Sequence, residues 1–220
     1  MTLSSGPNVV TNGLVLYVDA ANPRSYQGSG PALNDLSSNL LSFSVSGSLS
    51  YSTFNCGYLV FTGTQSATAS TTRSYANSSG LTVSAWININ PGGTKCVISH
   101  NSNTSTDDGW RLMVQNNQLS LSLGGVGDYT SGIQITDGKW KHLTITSTAT
   151  SLAFYVNGSQ VSEFHPMGAM IGTPSSFTIG DDPVGHGMVG LLSSVSVYRR
   201  ILQESEIVQN FNALRGRYNV

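Results

Sequence analysis

Short stretches in which apolar and polar residues alternate dominate this chain. The clearest runs from Leu81 to Ile89, where every second residue is apolar and Trp86 lies among the polar positions. Successive side chains of a strand point to opposite faces, so the pattern predicts a strand with one face in a core. A tryptophan on the second face predicts that this face is also covered, for example by a C-terminal helix.

Comparable patterns predict many further strands. They occur at residues 14–18, 37–52, 58–61, 97–99, 110–114, 119–123, 140–146, 152–156, 159–161, 177–179 and 191–198. Asn157-Gly158 is a strong two-residue hairpin signal. Residues 62–79 hold almost no aliphatic core former, which predicts a loop or an edge strand. Strands that follow one another without helices between them indicate an all-β sandwich or barrel.

Only the end of the chain has a helical pattern. Ile207, Phe211 and Leu214 share one helix face, two glutamates favour the positive helix start, and Gly216 follows as a stop, which predicts a helix over residues 204–214. No linker interrupts the alternation. The sequence therefore predicts a single domain over residues 13–220 after a polar N-terminal arm of residues 1–12.

The composition argues against several classes of partner. Charged residues make up 10% of the 220 residues and the formal net charge is −1, which gives no global field for nucleic acid or an anionic membrane. Neither a signal peptide pattern nor an apolar run of membrane-spanning length occurs, so we expect synthesis in the cytoplasm. In that compartment Cys56 and Cys96 are expected to be buried thiols rather than a disulfide.

Several segments together resemble a known family. They are residues 81–87 (LTVSAWI), 137–143 (DGKWKHL), 154–158 (FYVNG), 177–180 (FTIG) and 195–202 (VSVYRRIL). Their order and spacing are similar to those of laminin G-like, concanavalin A-like jelly-roll domains. The resemblance implies two antiparallel sheets packed face to face with one C-terminal helix beside them.

The two ends of the chain resemble a narrower group. Residues 13–26 (GLVLYVDAANPRSY) and 210–218 (NFNALRGRY) are similar to the version of this domain in structural proteins of tailed bacteriophages, including cyanophages. This resemblance implies a virion structural protein on the particle surface, either a capsid decoration or cement protein or a fibre-like component. It also implies capsid or other virion proteins as partners, and self-association. The alternative is a lectin-like module that binds host or environmental glycans, because the same fold serves in lectins.

The sequence offers few residues or motifs that would support an enzymatic activity. Glycoside hydrolysis needs two facing carboxylates, whereas glutamate occurs only at Glu163, Glu204 and Glu206, two of them on the predicted helix. The Glu-x-Asp-x-x-Glu strand motif of jelly-roll glucanases is absent. The four histidines lack nucleophile-elbow or zinc spacing, and His142 follows Trp140 as the family commonly has it, which favours a structural role. We therefore expect no catalytic residues.

Calcium is the metal to consider, although no cofactor is required. The resemblance to calcium-binding laminin G-like domains implies one aspartate from Asp107 or Asp108 and one from Asp181 or Asp182, because these pairs stand before one strand and after another. The alternative is that all four are turn residues bonded to local backbone. For a glycan, Tyr129 and Asp128 in a glycine-rich predicted loop are the candidates.

The chain end is locally basic. Arg199, Arg200, Arg215 and Arg217 stand against Glu204 and Glu206 in the last 22 residues. This asymmetry suits an acidic protein partner, so the four arginines are the candidate partner contacts. The alternative is that they are solvated residues flanking a helix.

Overall fold

A computed structural model describes residues 7–102, 107–165 and 168–220. These residues form sixteen strands, three short 3₁₀ turns and one α-helix. In chain order the strands and the helix are β1 (Leu14–Asp19), β2 (Ala32–Asn34), β3 (Ser42–Ser46), β4 (Ser50–Ser52), β5 (Tyr58–Thr62), β6 (Ser66–Ser70), β7 (Leu81–Asn88), β8 (Lys95–Asn101), β9 (Trp110–Gln115), β10 (Gln118–Leu123), β11 (Gly127–Gln134), β12 (Trp140–Ser147), β13 (Leu152–Val156), β14 (Ser159–Phe164), β15 (Ser176–Ile179), β16 (Val189–Tyr198) and α1 (Glu204–Leu214).

The strands form two antiparallel sheets. Sheet A has the order β14-β13-β12-β7-β16-β5-β4, and β1 pairs with the part of β16 that β5 leaves free. Sheet B has the order β11-β10-β9-β8-β15-β6-β3-β2. Neighbours in each sheet are often distant in sequence, as in a jelly roll. The predicted all-β sandwich with one C-terminal helix is confirmed.

One continuous core fills the space between the sheets. Val83, Ala85 and Ile87 of β7 point into it from sheet A, and Leu119 and Leu121 of β10 point into it from sheet B, all at most 2% exposed. Period-two alternation predicted these faces, because a strand that covers a core must keep its apolar residues on one side.

The outer face of sheet A is covered by α1 and the turn after it. Trp86 is 1% exposed, and its ring centroid lies 4.4 Å from that of Tyr218 and 5.7 Å from that of Phe211. Gln203 and Glu206 form a capping box that fixes the start of α1. The predicted helix bounds and the predicted cover over Trp86 are both confirmed.

The described part of the N-terminal arm packs on this same side. Val10 is 8% exposed and belongs to a small cluster with Tyr198, Leu202 and Ile207. Its N–H donates to Asn210 Oδ1 at 2.8 Å, and its carbonyl accepts from the Tyr198 hydroxyl at 3.0 Å. The first six residues of the predicted arm lie outside the described residues.

Two sequence predictions of local structure were wrong, and the prediction for the cysteines was right only in part. Residues 37–52 form two strands in opposite sheets, with a turn at Gly47, where φ is +78° and a Cβ would lie 3.0 Å from the Thr64 carbonyl oxygen. Residues 62–79 include β6, which is an interior strand between β15 and β3. Cys56 and Cys96 are both free thiols, but only Cys96 is buried.

Candidate functional site

The outer face of sheet B differs from that of sheet A, because no α-helix of the described residues covers it. Its outward positions carry hydroxyl groups, including Thr68 of β6, Ser99 of β8 and Thr178 of β15. A groove of about 270 Å³, here called the polar groove, opens on this face and is lined by Ser66, Thr68, Ser99, Asn101, Ser176, Thr178, Asp181, Asp182 and Pro183.

Asn101 provides an unused acceptor at this groove. The residue is 2% exposed, and its Oδ1 atom is buried with no hydrogen-bond partner in the ranges that the structure describes. Its Nδ2 group donates to the main-chain carbonyl of Asp108. A buried acceptor without a donor is costly.

Asp182 belongs to the groove lining and is tightly held. Its Oδ2 atom lies 2.7 Å from His186 Nδ1 and 3.3 Å from Arg111 Nη1, and its Oδ1 atom accepts the N–H groups of Val184 and His186, both at 3.1 Å. Burial works to raise the pKa of Asp182, but the hydrogen bonds from His186 outweigh it and lower that pKa. Asp182 thus holds the loop after β15 against β9.

Asp181 has a different environment. Its Oδ1 accepts the N–H of Asp182 at 2.8 Å, and its carbonyl accepts the Ser99 hydroxyl at 3.1 Å. Burial raises the pKa of Asp181 above its usual value. Its carboxyl group is half-buried in the groove wall, where it can accept hydrogen bonds from a polar ligand.

The second predicted calcium pair lies beside the same groove. Both carboxylate oxygens of Asp108 accept the N–H of Ser102 at 3.1 Å, and Asp107 is exposed. Asn101 joins the two aspartate pairs, since it lines the groove and bonds to Asp108. Nevertheless, in the ranges that the structure describes, no group of three or more His, Cys, Asp or Glu side chains could hold a metal ion. Calcium binding stays a prediction.

The predicted glycan residues do not lie in a loop. Asp128 and Tyr129 belong to β11, the edge strand of sheet B, and pair with Ser122 and Leu121. Tyr129 is half-buried against the core, with its ring centroid 6.0 Å from that of Phe164, so it forms part of the packing between the sheet edges. Asp128 is exposed on the outer face, and neither residue lines the polar groove.

The four candidate partner arginines separate into two pairs. Arg200 bonds to Glu206 with both terminal nitrogens, at 2.7 and 2.6 Å, and Arg217 bonds to the buried Asp19 in the same way, at 2.8 and 2.9 Å. These two side chains therefore tie the C-terminal segment to the domain. Arg199 and Arg215 are exposed, and Arg215 lies 5.7 Å from the ring centroid of Phe211.

Arg199 lines a second groove, of about 580 Å³, here called the basic groove. Its other lining residues are Arg73, Ser74, Tyr75, Ala76, Ser79 and Gly80. The sequence indicates Arg199 as a candidate contact, but it does not predict that Arg199 lies beside the 73–80 loop. That loop is distant in sequence and has no residue spacing typical of ligand binding.

His100 and His142 are buried within the domain, which favours a structural role for both. His100 is fully buried; it accepts the Tyr75 N–H at Nε2, at 3.1 Å, and its Nδ1 lies 2.9 Å from the Ser176 carbonyl. His142 is 3% exposed, and its ring centroid is 5.3 Å from that of Trp86. Burial lowers the pKa of His100 to about 4 and that of His142 to about 3, so both are neutral at pH 7.

Comparison with solved structures shows the same fold in binding domains. The binding domain of Paraclostridial Mosquitocidal Protein 1 matches with a TM-score of 0.70 and 17% identity over 91% of this chain and 52% of that one. The binding domain of botulinum neurotoxin DC in complex with SialylT matches with a TM-score of 0.68 and 15% identity over 93% and 52%. This chain thus spans about half the length of these toxin domains.

A third structure matches along its whole length. Domain 4 of AbnA, a GH43 extracellular arabinanase from Geobacillus stearothermophilus, in complex with arabinotriose, has a TM-score of 0.70 and 17% identity over 92% of this chain and 100% of that one. No curated protein sequence matches significantly. The family model described as the concanavalin A-like lectin/glucanases superfamily matches residues 61–208. This chain therefore belongs to the concanavalin A-like lectin/glucanase superfamily.

Proposed function

We propose that this protein is a non-catalytic carbohydrate-binding domain and that the polar groove is its saccharide site. The observation that carries the proposal is that Asn101, whose buried Oδ1 atom has no hydrogen-bond partner among the described residues, belongs to the lining of a groove rich in hydroxyl groups. A sugar presents many hydroxyl groups, each both donor and acceptor, so it can donate to Asn101 and Asp181 and also bond to serine and threonine.

The fold supports this function. Similar solved structures include a domain in complex with arabinotriose and a toxin binding domain in complex with SialylT. The groove of about 270 Å³ accommodates a monosaccharide ring. The scarcity of glutamate and the burial of His100 and His142 agree with binding without catalysis.

A hydroxyl deletion tests the site. Thr178 is half-buried in the groove and its Oγ1 lies 3.2 Å from that of Thr68. We expect Thr178→Val to weaken the binding of a saccharide found on a glycan panel by about three- to tenfold, because one hydrogen bond contributes about 0.5–1.5 kcal/mol. Thr130→Val, on the outer face of β11 and away from the groove, is the matched control and should bind normally.

The panel should include arabinotriose and should be run with calcium and with a chelator. Binding that requires calcium would support a role for the Asp107, Asp108, Asp181 and Asp182 pairs as ligands. The absence of any bound glycan in both conditions would refute the proposed function.

The particle-surface role implied by the phage resemblance stays a prediction, as do self-association and a capsid partner. It is compatible with glycan binding, since a surface protein of a particle can also attach to a glycan. Co-sedimentation of the purified protein with phage particles that lack it is the measurement: stoichiometric binding would support a decoration role, and no binding would count against it. Among the described residues, no helix has the length and apolar character needed to cross a membrane.

A further inference from the structure

The basic groove combines two arginines whose charges no other described residue neutralises. Neither Arg73 nor Arg199 takes part in an ion pair among the described residues, and both are exposed. Arg111, Arg200, Arg217 and Lys141 each form an ion pair. Several exposed cations besides Arg73 and Arg199 form none, but these two line one groove together. The lining of the groove contains no acidic side chain.

Hydrogen bonds anchor the part of this loop that follows Arg73. The carbonyl of Tyr75 accepts the indole N–H of Trp110 at 2.8 Å. The fully buried Asn77 donates to the Thr148 carbonyl at 2.8 Å and accepts the N–H of Met170 at 2.9 Å. These bonds hold the segment after Arg73 in place before any ligand arrives, which reduces the entropy lost on binding.

Gly80 brings this loop close to the segment that follows β16. Its φ is +91°, and a Cβ atom would lie 3.1 Å from the backbone nitrogen of Ile201 and 3.3 Å from the Cα atom of Arg200. Glycine at position 80 thus permits the close approach that places Arg73 and Arg199 on one groove.

We propose that the basic groove binds the anionic group, a carboxylate or sulfate, of an acidic saccharide. This inference rests on the proposed carbohydrate-binding function and adds to it a second site and a ligand class. A guanidinium presents several N–H donors in one plane and bonds to such oxyanions in a bidentate manner. The small side chains of Ser74, Ala76 and Ser79 leave about 580 Å³ open, which is within the usual range for small-ligand sites.

The charge distribution favours a saccharide over a nucleic acid. The formal net charge of the chain is −1, so the positive charge of this groove is local, whereas binding along a nucleic acid backbone needs several phosphate contacts. A concave site with two cations suits an anionic group on a sugar ring.

Binding of sulfated and uronic-acid oligosaccharides to the full chain, measured by calorimetry at low and at physiological salt, tests the proposal. We expect Arg73→Ala and Arg199→Ala each to weaken this binding about tenfold or more, because each removes a charge-assisted hydrogen bond. Arg24→Ala, which replaces an exposed arginine outside the groove, is the matched control and should bind normally. Thermal melting of each variant checks that the fold is intact.

The outcomes separate this inference from the proposed function. Loss of acidic-saccharide binding in the Arg73→Ala, Arg199→Ala double variant, with neutral-saccharide binding retained, supports the inference. Binding of neutral saccharides but of no acidic one overturns the inference and leaves the proposed function standing, whereas no saccharide binding at all overturns both. An equal loss of binding for neutral and acidic saccharides in these variants also overturns the inference. So does competition by poly-glutamate that is as strong as the binding of acidic saccharides, because it would indicate an acidic protein ligand.

Discussion

Acid should destabilise this protein steeply below pH 6.5, because two buried histidines must take up protons. His100 is enclosed by the rings of Tyr75, Trp110 and Phe177, and His142 by those of Trp86 and Phe211. Burial lowers the pKa of His100 from 6.5 to about 4 and that of His142 from 6.5 to about 3.

The direction of this pH dependence follows from the number of protons that the folded and unfolded states bind. Between pH 4 and 6.5 the unfolded chain holds protons on both histidines and the folded chain does not, so the free energy of unfolding rises with pH. The stability that the two buried, neutral histidines contribute is complete above pH 6.5 and is lost as the pH falls. The lowered pKa of His100 alone corresponds to about 3 kcal/mol in the free energy of unfolding. Near pH 5 the two histidines together make that free energy change by about 2.5 kcal/mol per pH unit.

Urea denaturation at pH 7.0, 5.5 and 4.5 measures this slope. In His142→Leu the buried titrating group is absent, so the slope near pH 5 should fall to about half. His165→Leu, at an exposed position, leaves both inner histidines in place and should keep the wild-type slope. Stability that stays constant from pH 6.5 to 5 in the wild-type chain would refute the reasoning from burial, and an unchanged slope in His142→Leu would refute the part assigned to His142.

Two further predictions concern how the C-terminal segment is attached. Trp86→Ala should lower the free energy of unfolding by about 3–5 kcal/mol, because it empties the space between β7 and α1. Trp86→Phe should cost less, since it keeps an aromatic ring and removes a buried indole N–H that has no partner in the described part of the chain. Urea denaturation measures both, and equal costs would contradict the packing argument. Arg217→Ala should cost about 3–5 kcal/mol at pH 7, because it leaves the carboxylate of Asp19 buried without its cation. The companion Asp19→Asn, Arg217→Ala double variant should recover part of this loss in the same assay, and no recovery would contradict the ion-pair explanation.

Local periodicity predicted much of the fold. The alternation from Leu81 to Ile89 and the Ile207, Phe211 and Leu214 stripe are each set within one element, so the bounds of α1 and the faces of β7 could be predicted without the partners that cover them. By contrast, β6 exposes only Ala67 and Ala69 to the core, and alanine favours strands too weakly to predict an interior strand.

The candidate sites depend on contacts between distant parts of the chain. The positions of Asp181 and Asp182 after a strand could be seen in the sequence, but not that Arg111 and His186 hold Asp182. Likewise, nothing local joins Arg73 to Arg199. A strand pattern states which face of an element is apolar, whereas the order of strands in the sheets decides which loops become neighbours. In this protein that order, with close approaches such as the one at Gly80, brings the residues of both grooves together.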